Sequence, residues 1–254
     1  MKKTKQNHDE KRYILIGKSV FFPEERILAF GDLHLGYETM LRKSGVDIFF
    51  NQLEETKIDL DETFKIIKEG GNSVNMVIIL GDLKHYFGYN EVEEEYIHEL
   101  VTHLQNYVRN EKIIFIKGNH DKIDLANKTF RKCFVHKDII FVHGNESFHE
   151  IYSPKIKYVV MSHLHPTLTL SDNQNIKREK YKCFLVGNFK NKEVIVVPSF
   201  LSLIEGSNID EYEKTFSVVP YSELENFNVF IVGNDRIVRD FGKFKYIQNE
   251  RLKN

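Results

Sequence analysis

Three near-continuous apolar runs in the first half of the chain each end at a glycine followed by a side chain able to bind a metal. The runs are Arg26 to Phe30, Val74 to Leu80 and Lys112 to Lys117, and the endings are Gly31-Asp32, Gly81-Asp82 and Gly118-Asn119. Between them the spacing predicts a helix from Phe49 to Glu69, with Phe49, Leu53, Leu60, Phe64 and Ile67 on one face and Gly70-Gly71 as its stop. A second helix is predicted from Glu91 to Asn110, with acids in its first turn to suit the helix dipole. This alternation reads as an α/β sheet, and in such sheets ligands bind outside the carboxyl ends of the strands.

After residue 130 the helical period fades and short strands follow one another: Ile139 to Val142, Tyr158 to Met161, Lys182 to Val186 and Val194 to Val197. Ser171 to Lys180 is polar and reads as an exposed loop. Val229 to Val232 and Arg236 to Asp240 read as a hairpin around Gly233-Asn234-Asp235, with strand character from Asp235 to Phe244. No repeat and no long Pro/Gly/Ser linker divides the chain. Residues 1–11 are expected to be a solvated tail, and 12–254 one domain with a motif core at 26–200 and a closing strand pair at about 226–246.

With 36 Lys plus Arg against 37 Asp plus Glu, the net charge of -1 excludes a basic coat for wrapping nucleic acid, though not a local patch. The two cysteines, Cys133 and Cys183, have no zinc spacing and form no disulfide framework, which suits a reducing cytoplasm. No apolar run approaches the about 18 residues of a membrane span.

Six of the eleven histidines fall within five short polar clusters, each after an apolar run. In order they are Gly31-Asp32-Leu33-His34, Gly81-Asp82-Leu83-Lys84-His85, Gly118-Asn119-His120-Asp121, Val142-His143-Gly144 and Ser162-His163-Leu164-His165. Carboxylate, imidazole and amide oxygen without sulfur suit Mn, Fe or Zn in a reactive site rather than structural zinc. On an extended strand end, residues two apart point the same way, so Asp32 with His34, and His163 with His165, are each expected to share an ion. Asp82 offers two oxygens to bridge two ions, which at about 3.5–4 Å apart clamp a phosphate and activate water. A single Asp after a strand is commonly a turn residue or helix cap; five such clusters in order are not.

This series resembles the calcineurin-like metallophosphoesterases, whose motifs run D-x-H, G-D-x-x-(D/H), G-N-H-(D/E), H and G-H-x-H. The resemblance covers about residues 26–200. It implies a four-layer α/β/β/α sandwich, two mixed sheets flanked by helices, with a two-metal site at the strand ends. It further implies that Asp32, His34, Asp82 and His165 hold one metal and that Asp82, Asn119, His143 and His163 hold the other. By the same resemblance His120 assists the leaving oxygen or the charged phosphate, Asp121 orients and charge-supports it, and a metal-bridging hydroxide attacks the phosphorus. Ser162 stands where the family has Gly, and Asn145 where a second His is usual.

His85, three after Asp82, looks like the nuclease branch, where this histidine positions the phosphodiester; the alternative is a histidine bonding a ligand carboxylate. Gly31 to Glu38, Gly81 to His85 and Val197 to Leu203 are similar to the compact archaeal SbcD-related phosphoesterases. The expected activity is therefore a DNA exonuclease of repair or processing, with two divalent ions, manganese foremost and iron or zinc as alternatives. DNA is the expected partner, and a repair protein is expected to supplement its weak intrinsic affinity for DNA. The other readings are a phosphodiesterase or phosphatase for small nucleotides and a silent metal-binding scaffold, which the complete ligand set disfavours. Asn119, His120, Tyr86, Arg131, Lys177 and Arg178 are candidate substrate contacts, as are Lys132, Lys180, Lys182, Tyr37, Phe87 and Tyr89. The basic groups otherwise read as a solvated loop, and the aromatics as packing beneath the motif loops.

Overall fold

The computed structural model describes residues 12–86, 88, 90–121, 129–171, 178–203, 206–208 and 217–251. The expected tail at 1–11 and the candidates Lys177, Phe87 and Tyr89 lie outside the described residues.

The first sheet holds β1 (Ile14–Ile16), β2 (Ser19–Phe22), β3 (Ile27–Phe30), β4 (Met76–Ile79), β5 (Ile113–Ile116) and β6 (Phe130–Arg131), in that spatial order. β1 to β3 are antiparallel, and β3 to β6 are parallel. The parallel strands are reached through α1 (Tyr37–Lys43), α2 (Gln52–Glu69) and α3 (Glu91–Leu104).

The second sheet contains β7 (Cys133–His136), β8 (Ile139–Val142), β9 (Tyr158–Met161), β10 (Pro166–Ser171), β11 (Arg178–Phe189), β12 (Lys192–Val196), β13 (Ser207–Asn208), β14 (Asn228–Val232) and β15 (Val238–Lys243). Its main path runs β13-β10-β11-β12-β9-β8-β7, and β14 adds β15 beside β11. β8, β9 and β12 are parallel, whereas β7–β8, β10–β11 and β11–β12 are antiparallel, so both sheets are mixed. Two short helices, α4 (Tyr221–Leu224) and α5 (Phe244–Arg251), follow on the outer face.

Three separate apolar cores explain the layering. Alternate residues of a strand face opposite ways. Phe21, Leu28, Phe30, Val77 and Ile79 pack against Leu53, Leu60, Ile97 and Leu100 of α2 and α3. Their neighbours Val20, Phe22, Ala29, Ile78 and Leu80 meet Phe141, Val160, Phe184 and Ile195 of the second sheet. Ile140, Val159, Leu185 and Val194 face the other way, onto Leu224 and Phe244. The result is helix, sheet, sheet, helix.

Several boundaries differ from the sequence reading. α2 begins at Gln52, because the Asn51 side chain accepts the Glu54 N–H at 3.2 Å and caps it. Phe49 is therefore outside the helix and 99% exposed rather than part of the core face. α3 stops at Leu104, where the amides of Tyr107 and Val108 both fold back onto the Leu104 carbonyl. Ser171 and Arg178 to Lys180 are strand, since β10 and β11 pair from Thr167–Lys182 out to Ser171–Arg178. Phe244 ends the last strand by entering the outer core and opening α5, its amide donating to the Phe227 carbonyl at 2.9 Å. No helix among the described residues is long and apolar enough to cross a membrane.

Candidate active site

The carboxyl ends of β3, β4, β5, β8 and β9 converge, and each delivers one of the five polar clusters. The first two loops are zipped together: the amides of Asp32, His34 and Leu35 donate to the carbonyls of Gly81, Asp82 and Leu83, and the His85 amide returns to Leu35. This continues the β3–β4 pairing past the strands and brings Asp32, His34, Asp82 and His85 to one place.

Asp32, His34, Asp82 and His165 present ligand atoms within 4.8 Å of one another. His165 Nε2 lies 3.2 Å from Asp32 Oδ2, and His34 Nε2 is 3.4 Å from His165 Nε2 and 3.8 Å from Asp82 Oδ2. Beside them, His143 Nε2 is 3.0 Å from Asn119 Oδ1 and 3.5 Å from Asp82 Oδ2. His163 packs its ring 4.9 Å from that of His143. Asp82 thus stands between two donor groups.

The backbone route differs from the expected extended strand ends. Asp32, His34, Asp82, His163 and His165 all have left-handed backbones, with φ of 55°, 46°, 47°, 73° and 47°. Such conformations cost about 1–3 kcal/mol each and persist where the surroundings demand them. Asp32 and His34 do converge, but His163 and His165 part: His165 joins Asp32, and His163 turns to His143.

The donor set fits divalent cations. His143 Nδ1 lies 2.8 Å from the Leu80 carbonyl, which sets Nδ1–H as donor and turns the Nε2 lone pair toward Asn119 Oδ1 and Asp82. Acceptors at that spacing repel unless a cation lies among them. Burial lowers His143 and His34, the latter well below its ordinary value, so both imidazoles are neutral at pH 7 as ligands must be. Burial opposes the Asp32 charge, yet His165 beside it holds the carboxyl below its usual range. Asp82 is pushed up by burial and by the Asp32 charge, a penalty that a cation reverses.

Ser162 fills the position where the resemblance expects Gly. Its Oγ reaches Asp32 Oδ1 at 3.1 Å and the Leu80 carbonyl at 2.8 Å, and lies 3.1 Å from His143 Nδ1. The His163 amide donates to Asp32 Oδ2 at 2.9 Å.

His34, His85 and His120 also present nitrogens within 4.8 Å of one another. His120 Nδ1 lies 2.8 Å from the His85 carbonyl. Here the expected role of Asp121 needs correction. The Asp121 oxygens accept the amides of Leu83 at 3.2 Å and Gly118 at 2.9 Å, so Asp121 ties the second loop to the third. The His120 ring meets the His85 carbonyl through Nδ1.

Other candidates fall elsewhere. Tyr37 stacks edge-on against His85 at 4.8 Å, and Tyr86 is exposed at the same loop. Arg131 ends β6 with its guanidinium over the Phe134 ring at 5.2 Å. Arg178 is exposed opposite Ser171, at the far end of the β10–β11 ladder from the site. Neither basic residue is brought to the metal cluster.

Sequence reasoning missed the supports. Gln52 Nε2 donates to the carbonyls of Leu33 and His34 at 2.7 and 2.9 Å, and its own amide donates to Glu38. Glu93 accepts the Tyr86 amide at 2.8 Å, and Lys84 Nζ donates to the Gly88 carbonyl, so both hold the His85 loop. The available signal was a buried-face position: Glu93 sits four and seven residues before Ile97 and Leu100, where an apolar residue is the norm.

The fold is similar to that of the Pseudomonas putida nuclease MPE, with a TM-score of 0.57 at 19% identity over 90% of this chain and 94% of that one. A single-mutant Vps29 from Entamoeba histolytica gives a TM-score of 0.39 at 11% identity over 85% and 99%. No curated protein matches the chain. A family model described as calcineurin-like phosphoesterase matches residues 25–219. With its ligand clusters gathered at the strand ends, the chain belongs to the calcineurin-like phosphoesterase family, as a metal-dependent hydrolase of phosphoric esters.

Proposed function

We propose that this hydrolase cleaves phosphodiesters in nucleic acid, acting as a DNA exonuclease in repair or processing. The observation that carries the reading is the meeting of His85 with His120 and His34 at one corner of the metal cluster. The nuclease identity of the Pseudomonas putida neighbour agrees with it, although that likeness by itself concerns the fold.

Asp32, His34, Asp82 and His165 would hold one ion, and Asp82, Asn119, His143 and His163 the other, with manganese as the expected metal. Bound there, divalent ions supply Lewis-acid polarisation of the phosphate and an acidified water as nucleophile. The chain's own residues do the rest. His120 keeps Nδ1–H on the His85 carbonyl, which leaves Nε2 to carry a proton to the departing oxygen. Burial and the nearby charge of His120 lower His85, so at neutral pH it is an uncharged hydrogen-bonding group for the diester oxygen. Tyr37 braces the His85 ring, and exposed Tyr86 is placed to stack on a base. A near-neutral chain binds DNA weakly by charge alone, so a repair-protein partner in the cytoplasm is part of the reading.

The test is a manganese-dependent time course on end-labelled single- and double-stranded DNA, with a chelator control. A one-nucleotide ladder, abolished by chelator and by His120→Ala, is the expected result. Intact DNA alongside turnover of cyclic or mononucleotides would replace the nuclease by a nucleotide phosphodiesterase.

A further inference from the structure

A cavity of about 340 Å³ lies among the β1–β2 turn, α2, β11 and the β14–β15 turn, and none of the metal-ligand candidates lines it. Four cations reach it, Lys18, Lys180, Lys182 and Arg236, against one carboxylate, Asp59. Asp59 is already engaged twice, by Lys18 at 2.6 Å and by Arg236 at 2.9 Å. Glu55, a turn earlier on the same helix, is the other carboxylate that Lys18 feels.

Among the described residues neither β11 lysine forms an ion pair, although Lys182 feels the charges of Asp32 and Asp59. Lys180 Nζ donates to the Gly206 carbonyl at 2.7 Å, and Lys182 Nζ to the carbonyls of Ser199 and Leu201. An ammonium withdrawn from water, as that of Lys182 is, and hydrogen-bonded to neutral carbonyls with carboxylates only at a distance is under-compensated. Burial accordingly lowers Lys182 well below its ordinary value and lowers Lys18 as well. A sequence serving only to pack β11 has no need of two lysines at alternate positions facing the same cavity.

These groups are also held in place beforehand. Lys18 Nζ donates to the Phe200 carbonyl at 2.7 Å and to Ser202 Oγ at 3.0 Å. The 199–201 segment is pinned from its other side: the Phe200 amide donates to the Gly31 carbonyl at 2.9 Å and Ser199 Oγ to the Asp32 carbonyl at 2.9 Å. Preset cations bind an anion without first losing side-chain freedom. The volume lies in the range of about 300–1,000 Å³ typical of small-molecule sites.

We infer that this cavity is a binding site for a phosphate-bearing anion, held by Lys18, Lys180, Lys182 and Arg236 and separate from the metal cluster. Lys180, Lys182 and Arg236 each keep an N–H beyond their hydrogen bonds to the described residues, and a tetrahedral dianion has enough oxygens to accept from all three, while Lys18, whose three N–H groups are engaged, contributes charge. The phosphate can arrive free, on a nucleoside monophosphate or on the 5′ end of a strand. The site does not depend on the nuclease reading, because it is read without turnover.

The experiment is calorimetric titration of the full chain in chelator, which removes the metals as a competing phosphate site. The titrants are orthophosphate, a nucleoside monophosphate, and an oligonucleotide with and without a 5′ phosphate. Orthophosphate is expected to bind saturably. Lys182→Met and Lys180→Ala are each expected to weaken it by about tenfold, the loss of one charge-assisted hydrogen bond. Lys182→Met orphans two carbonyls and risks the fold; Lys180→Ala removes a half-buried group whose one hydrogen bond among the described residues is to the Gly206 carbonyl, and keeps the test decisive. Tighter binding of the monophosphate, or of the phosphorylated oligonucleotide over its unphosphorylated twin, identifies the source. Absence of saturable phosphate binding, or affinity unchanged in Lys180→Ala, overturns the assignment.

Discussion

The backbone amide of His120 donates to Asp82 Oδ1 at 2.9 Å. Asp82, proposed to bridge two metals, and His120, proposed to protonate the leaving group, are therefore held to each other through main chain, not through the imidazole itself. Substituting the His120 side chain leaves that hydrogen bond in place.

His120→Ala should thus separate chemistry from assembly. Metal content and melting temperature are expected to stay near those of the parent, while kcat falls by about 10²–10⁴-fold, the usual worth of a general acid. Metal analysis beside steady-state kinetics checks this. A variant that loses its metal, or that cleaves at the parental rate, contradicts the assigned role.

Gly118 passes close under Asp82: a Cβ built there would sit 2.2 Å from Asp82 Oδ1 and 2.3 Å from the Asp82 amide nitrogen. Gly118→Ala has no flexible neighbour to displace, so Asp82 or the β5 loop must move. A loss of about 1–3 kcal/mol in stability is expected, the usual cost of overpacking, together with weakened metal binding. Urea unfolding and metal titration read the two effects separately.

Ser162→Ala removes the hydroxyl shared by Asp32, the Leu80 carbonyl and His143. Metal affinity should drop by about 10–100-fold, as for other groups that orient metal ligands. Stability should fall by about 1–3 kcal/mol, the cost of buried acceptors left unpaired. Ser162→Thr, which keeps the hydroxyl, should recover part of the affinity; equal affinity in the parent and Ser162→Ala would exclude an orienting role.

The share of the chelated protein's stability that Asp121 and Asp82 contribute should fall as pH rises from about 4 to about 6, against the opposite trend from His34, His143 and His85, whose ionisation burial lowers. Burial pushes Asp121 up to about 6, and burial with the Asp32 charge pushes Asp82 up too. Unfolded, both ionise near about 4, so across this window these two carboxyls hold more protons folded than unfolded and their contribution to stability falls with pH. The combined loss should be roughly 1–3 kcal/mol. Adding manganese should reduce it, since a cation favours the ionised Asp82. Urea midpoints of the parent and of Asp121→Asn across the window isolate the carboxyl share: the parent's advantage over the variant should shrink as pH rises, and a difference that grows with pH or stays constant would contradict the assignment.

Much of the site was legible in order and composition. Asp32, His34, Asp82, Asn119, His143 and His165 each follow a run whose apolar character already marks a strand, and strand ends are where an α/β sheet exposes functional groups. His85 stood out by its spacing from Asp82. Phe49 misled because helical spacing alone does not reveal the cap at Asn51, and Asp121 misled because adjacency to His120 says nothing of where its oxygens turn.

What the sequence by itself determined was local: which segments are strand or helix, and which polar residues lie at their ends, because apolar periodicity and glycine breaks act over a few residues. What only the tertiary structure decided was every relation across distance. Two sheets had to stack before His143 could lie 2.8 Å from the Leu80 carbonyl. The left-handed turns at Asp32, His34, Asp82, His163 and His165 had to be paid for by that packing. Gln52, Glu93 and Lys182 look like ordinary polar residues in the chain, and acquire their roles only because burial removes water and leaves particular backbone groups as their partners.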